Sequence, residues 1–186
     1  MSRLPIRLYG DPVLQARTQA IDRITAETKR LAEDMFETMD AARGVGLAAN
    51  QVGVPERLTV VSVPGEREED PPFRAALVNP AVTASSGEQI GEEGCLSFPG
   101  LYFDVRRSLQ VTVAALDLEG RPVTIQAEGY LARALQHEID HLDGVLYIDR
   151  IGTVKRGLLR NKLAEIRKRG AAGEMRTTEE EVAAEE

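Results

Sequence analysis

Residues 129–142 read Gly-Tyr-Leu-Ala-Arg-Ala-Leu-Gln-His-Glu-Ile-Asp-His-Leu, and the rest of the chain is best understood outward from them. Leu131, Leu135 and Leu142 make an apolar face, and Asp143-Gly144 follows as a stop, so the pattern predicts a helix over roughly Gly129–Leu142. Four residues advance a helix by about 400°. His137 and His141 therefore project from one face, within reach of a single metal ion. Tyr130 and Ala134 share that face, while Arg133, Gln136 and Asp140 turn to the other side. Glu138 lies about 100° around from His137, beside such an ion, where a carboxylate can take a proton from water. The bland alternative is a helix whose histidines are hydrogen-bonded and bind nothing. These are the only two histidines in the chain, and they flank a glutamate four residues apart.

The flanking sequence supplies shorter elements. Asp11-Pro12 reads as an N-cap with proline at the first helical position. Thr25–Arg43 reads as a helix capped by Thr25, with Leu31, Met35 and Met39 at four-residue spacing and Gly44 as its end. Strand-like runs follow at Leu58–Val63, Ala75–Val78 and Leu109–Leu118. The last of these meets Val123–Gln126 across Glu119-Gly120-Arg121-Pro122 as a hairpin. A final helix is predicted over Val154–Arg169. Strands clustered between helices, without regular β-α-β alternation, indicate an α+β fold rather than a doubly wound sheet.

Composition sets the outer limits. The 186 residues suit one domain, 42% of them are apolar and 28% charged, and the net charge is −7. These values exclude a collagen-like or fully disordered chain and argue against a surface devoted to nucleic acid. No apolar run approaches the ~20 residues of a spanning helix, and the first residues lack a secretory pattern. One cysteine makes no internal disulfide, so a reducing, cytoplasmic setting is expected. The charge is unevenly placed. Residues 155–169 carry seven Lys/Arg against one Glu, and residues 170–186 carry six Glu against one Arg. The expected organisation is a domain over residues 1–169 and an acidic, disordered tail over 170–186.

The two histidines need a third ligand. Cys95, the sole cysteine, sits in Glu92-Glu93-Gly94-Cys95-Leu96-Ser97. A lone cysteine is commonly a small buried apolar residue, but two histidines lacking a partner favour it as a ligand. Cys plus two His leaves a fourth tetrahedral position open, as catalytic sites do. A third segment, Gly44-Val45-Gly46-Leu47-Ala48-Ala49-Asn50-Gln51-Val52-Gly53, superficially suggests a dinucleotide loop. It follows a helix and precedes a strand, the reverse of what that loop requires. It is either a helix stop with a tight turn or a strand that lets a substrate backbone approach closely, with Gln51 offering an amide donor.

Gly-Val-Gly-Leu-Ala-Ala-Asn-Gln, Glu-Gly-Cys-Leu-Ser and Gln-His-Glu-Ile-Asp-His-Leu together resemble the three signature motifs of peptide deformylase, in order and over roughly residues 4–165. The resemblance implies small antiparallel β-sheets packed around a central metal-binding helix, with a C-terminal helix. It implies removal of the formyl group from the N-terminal formylmethionine of nascent polypeptides, releasing formate. Cys95, His137 and His141 would bind the metal, Glu138 would be the general acid/base, and Gln51 with the backbone N–H of Leu96 would face the oxyanion. Gly46 would meet the substrate backbone, and Val45, Tyr130 and Ala134 would line the methionine pocket. Glu93 and Arg107 resemble a supporting ion pair. Gly91 stands where some relatives place a branched apolar residue, so the pocket is either wider here or filled from another segment.

The same resemblance implies one divalent ion, with Fe²⁺ the expected metal, although Zn²⁺, Ni²⁺ and Co²⁺ suit the donors equally. The competing enzyme reading is a zinc metalloprotease of the H-E-x-x-H type. No membrane partner is expected, a monomer is the favoured state, and Lys155–Arg169 is the expected ribosome contact. The structural alternative for that segment is a helix docked through Leu158, Leu159, Leu163 and Ile166 with its charges solvated.

Overall fold

The computed structural model describes residues 2–65 and 69–177. In chain order the regular elements are β1 (Ile6–Arg7), α1 (Ala26–Ala41), β2 (Gly46–Ala48), β3 (Leu58–Val63), β4 (Phe73–Ser86), β5 (Gln89–Gly94), β6 (Tyr102–Arg107), β7 (Gln110–Leu116), β8 (Pro122–Glu128), α2 (Gly129–Leu142), α3 (Thr153–Leu158), α4 (Arg160–Ala171) and β9 (Met175–Arg176). Short 3₁₀ turns at Pro12–Gln15, Ala49–Val52 and Tyr147–Asp149 fill the connections.

Among the described residues these strands form three antiparallel sheets: β2-β3-β4-β7-β8, the hairpin β5-β6, and the short pair β1-β9. The architecture is α+β, with α2 at its centre. The sheet side of α2 buries Ala132, Leu135 and Ile139 against Val61, Leu77, Val111 and Val113. Helix α1 lays Met35 and Met39 on Leu47, Leu58 and Val60. A third cluster joins Phe98 and Tyr147 to Leu8 and to Leu163 and Ile166 of α4. Burying such apolar side chains contributes about 1.5–3 kcal/mol each, which is what holds α2 between its two neighbours.

Helix α2 spans the expected residues, and β3 does too. Thr25 caps α1 by accepting from the Thr28 N–H. That helix ends at Ala41, before Gly44, because Arg43 already adopts the left-handed conformation at φ +52°. Asp11-Pro12 opens only a 3₁₀ turn. The helix predicted over Val154–Arg169 is divided at Leu159. Leu163 and Ile166 dock as in the alternative reading of this segment, with Leu159 partly buried beside them, but Leu158 is 83% exposed, because α3 lies beyond the core it would have to cover. The acidic-tail expectation is corrected over Gly170–Thr177: α4 continues to Ala171, and Met175–Arg176 pairs with Ile6–Arg7. Residues 178–186 of the expected tail lie outside the described residues.

Candidate metal centre

The ligand atoms offered by Cys95, His137 and His141 all lie within 4.8 Å of one another. Two neighbouring segments bring them together. Helix α2 carries both imidazoles, 5.0 Å apart between ring centroids. The turn after β5 carries Cys95, whose Sγ is 3.2 Å from His141 Nε2. His137 turns Nδ1 toward Glu93 Oε2 at 3.0 Å, leaving Nε2 for the centre. A carboxylate on the far nitrogen is how ligating histidines are commonly held. A thiolate and two imidazoles suit a first-row divalent ion, so the donor set fits a metal.

The electrostatics agree with that fit. Burial opposes a charge on His137, yet its hydrogen bonds to Cys95 and Glu93 push it up to about 10. Burial and the neighbouring His137 hold His141 well below its ordinary value. Cys95 and Glu93 thus favour positive charge between them, where a bound cation would take the place of the His137 proton. Burial raises Glu138 to about 7, against the pull of His137. Its Oε2 is buried without a hydrogen-bond partner among the described residues. A buried carboxylate with an open oxygen beside three ligands is suited to holding and moving a proton.

Glu93 anchors the centre from behind. Arg107 binds it through Nε and Nη2, both at 2.9 Å, and Arg133 Nη1 reaches it at 2.7 Å. Burial disfavours the charge on Glu93, but the hydrogen bonds from His137 and Arg107 hold its carboxyl well below the usual range. Arg107 also binds Asp140, which Arg150 grips through Nε at 3.0 Å and Nη2 at 2.6 Å. Arg133 and Asp140 do not turn to the other side of the helix as expected: four and three residues from His137, they lie beside it, and Arg133 reaches the same Glu93 carboxylate and lines the same cleft. That side of α2 faces the β5–β6 hairpin, so both are buried in its ion-pair network. Their four- and three-residue offsets from His137 were the available signal.

A cleft of about 330 Å³ opens over the centre and is lined by Val45, Gly46, Gln51, Cys95, Leu96, Tyr130, Ala134, His137 and Glu138. All the sequence-predicted site residues meet there except His141, which is 1% exposed below it. Gln51 is fixed by the Ala48 N–H, which donates to its Oε1 at 2.9 Å. Its Nε2 then points to Ser97 Oγ at 3.2 Å and Cys95 Sγ at 3.6 Å. Ser97 was not anticipated, because only the fold brings it to Gln51. Gly44-to-Gly53 is a strand followed by a 3₁₀ turn, with Gly46 and Gln51 both buried. The space at Gly91 is filled from α2: a Cβ there would lie 3.1 Å from Arg133 Nη2.

Residues 3–157 match the sequence model of a family described as Polypeptide deformylase. A peptide deformylase of Thermomicrobium roseum is 51% identical over 76% of this chain and 82% of its own length. One from Rhizobium meliloti is 46% identical over 92% and 98%. Among solved structures, the peptide deformylase of Thermus thermophilus superposes with a TM-score of 0.82 at 44% identity, covering 90% of this chain and 99% of that one. A peptide deformylase from Ehrlichia chaffeensis, solved in complex with actinonin, gives 0.82 at 36% identity over 91% and 98%.

Proposed function

Because the chain belongs to the peptide deformylase family, we propose that the cleft over Cys95, His137 and His141 is where it carries out that family's reaction. The reaction is metal-dependent hydrolysis of the N-formyl group from an N-terminal formylmethionine, releasing formate. The observation that carries the assignment is one cluster of three ligand atoms within 4.8 Å, with Glu138 Oε2 buried and without a hydrogen-bond partner among the described residues.

Cys95, His137 and His141 would hold the ion, and Glu93 keeps His137 in the tautomer that ligation needs. When bound, the ion would supply a water of lowered pKa and a Lewis acid for the formyl oxygen. Glu138 accepts the proton of the attacking water and later delivers it to the departing amine nitrogen. Gln51 Nε2 and the Leu96 N–H stabilise the oxyanion as the formyl carbon becomes tetrahedral. Gly46, at the edge strand β2, lets the substrate backbone lie alongside as an added strand. Val45, Tyr130 and Ala134 receive the methionine side chain, and Arg133 lines the same cleft. The native ion is Fe²⁺ on this reading; Zn²⁺, Ni²⁺ and Co²⁺ fit the same donors.

Two further proposals concern the setting. No helix among the described residues is long and apolar enough to cross a membrane, and we place the enzyme as a monomer in the cytoplasm, where nascent chains emerge. Lys155, Arg156, Arg160, Lys162, Arg167, Lys168 and Arg169 are all exposed on α3 and α4. We propose that they offer ribosomal RNA a cationic surface spread around the exposed side of these helices, with Lys155, Arg156 and Arg169 also paired to Asp104, Asp149 and Glu174. Co-sedimentation as salt rises tests it. Changing Arg160, Lys162, Arg167 and Lys168 to Glu should abolish sedimentation while sparing hydrolysis of a free peptide.

The central assignment is tested by metal analysis of anaerobically purified protein alongside three substrates: a formyl-Met peptide, the same peptide unblocked, and casein. One ion per chain with release of formate alone is the expected result. Cleavage of casein would instead support the metalloprotease reading.

A further inference from the structure

The chain does not leave the domain after α4. Gly10 and Gly170 let that helix and the N-terminal segment meet backbone to backbone. A Cβ on Gly10 would lie 2.9 Å from the Ala171 nitrogen, and one on Gly170 would lie 2.5 Å from the Leu8 carbonyl oxygen. At Gly173, with φ +79°, the chain turns back, and an Arg169–Glu174 ion pair spans the turn. Strand β9 then runs antiparallel to β1, with Arg176 opposite Ile6 and Met175 opposite Arg7.

This return places Arg176 in the wall of the cleft that holds Cys95 and Glu138. Its Nη1 donates to the Leu96 carbonyl at 3.1 Å. The next carbonyl, that of Ser97, accepts from the Tyr9 N–H at 3.0 Å. Two successive carbonyls of the Cys95 turn are therefore held from the C-terminal and N-terminal segments, one by a guanidinium and one by backbone. Strand β9 lies beyond residues 3–157, the part that matches the family model.

We propose that Arg176 is a positioning residue for the hydrolysis: by binding the Leu96 carbonyl it fixes Leu96 so that its N–H stays aimed at the oxyanion. This rests on the role given to Leu96 above. An oxyanion donor is effective because it is in place before charge develops. A residue held at its carbonyl by a charged donor turns less freely than one held only by its chain neighbours. The C-terminal segment is thereby a working part of the active site.

The test uses full-length, metal-loaded protein with Arg176→Met and Arg176→Lys, reading kcat, KM, bound metal and thermal midpoint on a formyl-Met peptide. Arg176→Met should lower kcat per bound ion about tenfold, a fraction of the 10²–10³ lost with an oxyanion donor, and leave KM within about twofold. Arg176→Lys, which keeps a charged donor, should recover at least half of kcat. Unchanged kcat per bound ion in Arg176→Met, whether or not metal or thermal midpoint falls, overturns the proposal. A rise in KM alone overturns it in favour of direct substrate contact, and failure of Lys to rescue overturns it as well. An inactive wild type would instead count against the deformylase assignment itself.

Discussion

A Cβ on Gly46 would lie 2.6 Å from Glu138 Cδ, so the bare backbone of β2 and the buried carboxylate of α2 occupy one shared space. Gly46 has no positive φ to explain it; the glycine is there because the carboxylate is. Gly46→Ala should therefore act on Glu138. Overpacking of this kind costs about 1–3 kcal/mol, and displacing the carboxylate should reduce kcat by at least about tenfold, part of the 10²–10⁴ that general acid–base catalysis supplies. The ligands are untouched, so bound metal should stay at the wild-type level. Wild-type turnover in Gly46→Ala would show that Glu138 has room to move aside.

What the sequence revealed and what it hid divide along a physical line. The two histidines and Glu138 were legible because a regular helix converts spacing into direction, and α2 is regular from Gly129 to Leu142. The β5–β6 hairpin was missed. Its strands read Gln-Ile-Gly-Glu-Glu-Gly and Tyr-Phe-Asp-Val-Arg-Arg, and the buried charges of Glu93 and Arg107 break the apolar alternation that marks a strand. Those charges are stable inside only because Arg133 and Asp140 arrive from α2, a pairing that no local pattern encodes. The tail misled for the opposite reason. Its composition is that of a solvated segment, yet Gly170 and Gly173 serve close packing and a turn.

Glu93→Gln should test that buried network. It leaves Arg107 with Asp140, and Arg133 with the Gly91 and Val105 carbonyls. Removing one partner of a buried ion pair costs about 3–5 kcal/mol. Glu93 is held below its ordinary value despite its burial, so its contribution is present above the unfolded-state pKa of about 4.3 and is lost as pH falls through the folded one. In metal-free protein, the stability gap between wild type and variant should be widest from about pH 5 to about 6.5 and narrow at lower pH. It should narrow again as pH rises towards the raised His137 value of about 10, which Glu93 helps to hold. Denaturant melts across that range would refute the assignment if the gap widened instead.

Gly91 and Arg133 make a second coupled pair. Isoleucine at 91 would place its Cβ 3.1 Å from Arg133 Nη2 and push the guanidinium from its carbonyl and carboxylate partners toward the cleft. Gly91→Ile should destabilise by about 1–3 kcal/mol and lower kcat/KM more for formyl-Met than for formyl-Ala peptides, because the larger side chain needs the displaced volume. Shortening the guanidinium as well, in Gly91→Ile/Arg133→Met, should give less than the sum of the two single losses. Strict additivity would mean the two residues do not share the space.

Glu138→Gln separates proton transfer from ligation. The amide keeps the size of the carboxylate and fits the space that Gly46 leaves, so folding and the Cys95–His137–His141 cluster should be preserved. It cannot take up a proton from water at neutral pH, and kcat should fall by at least about 10², the lower range for losing a general acid/base. Metal per chain, measured on the same sample, should match wild type. A variant that retains turnover would remove Glu138 from the mechanism. One that loses its ion would make Glu138 a ligand, contrary to a cluster in which Cys95, His137 and His141 already bring three donor atoms within 4.8 Å.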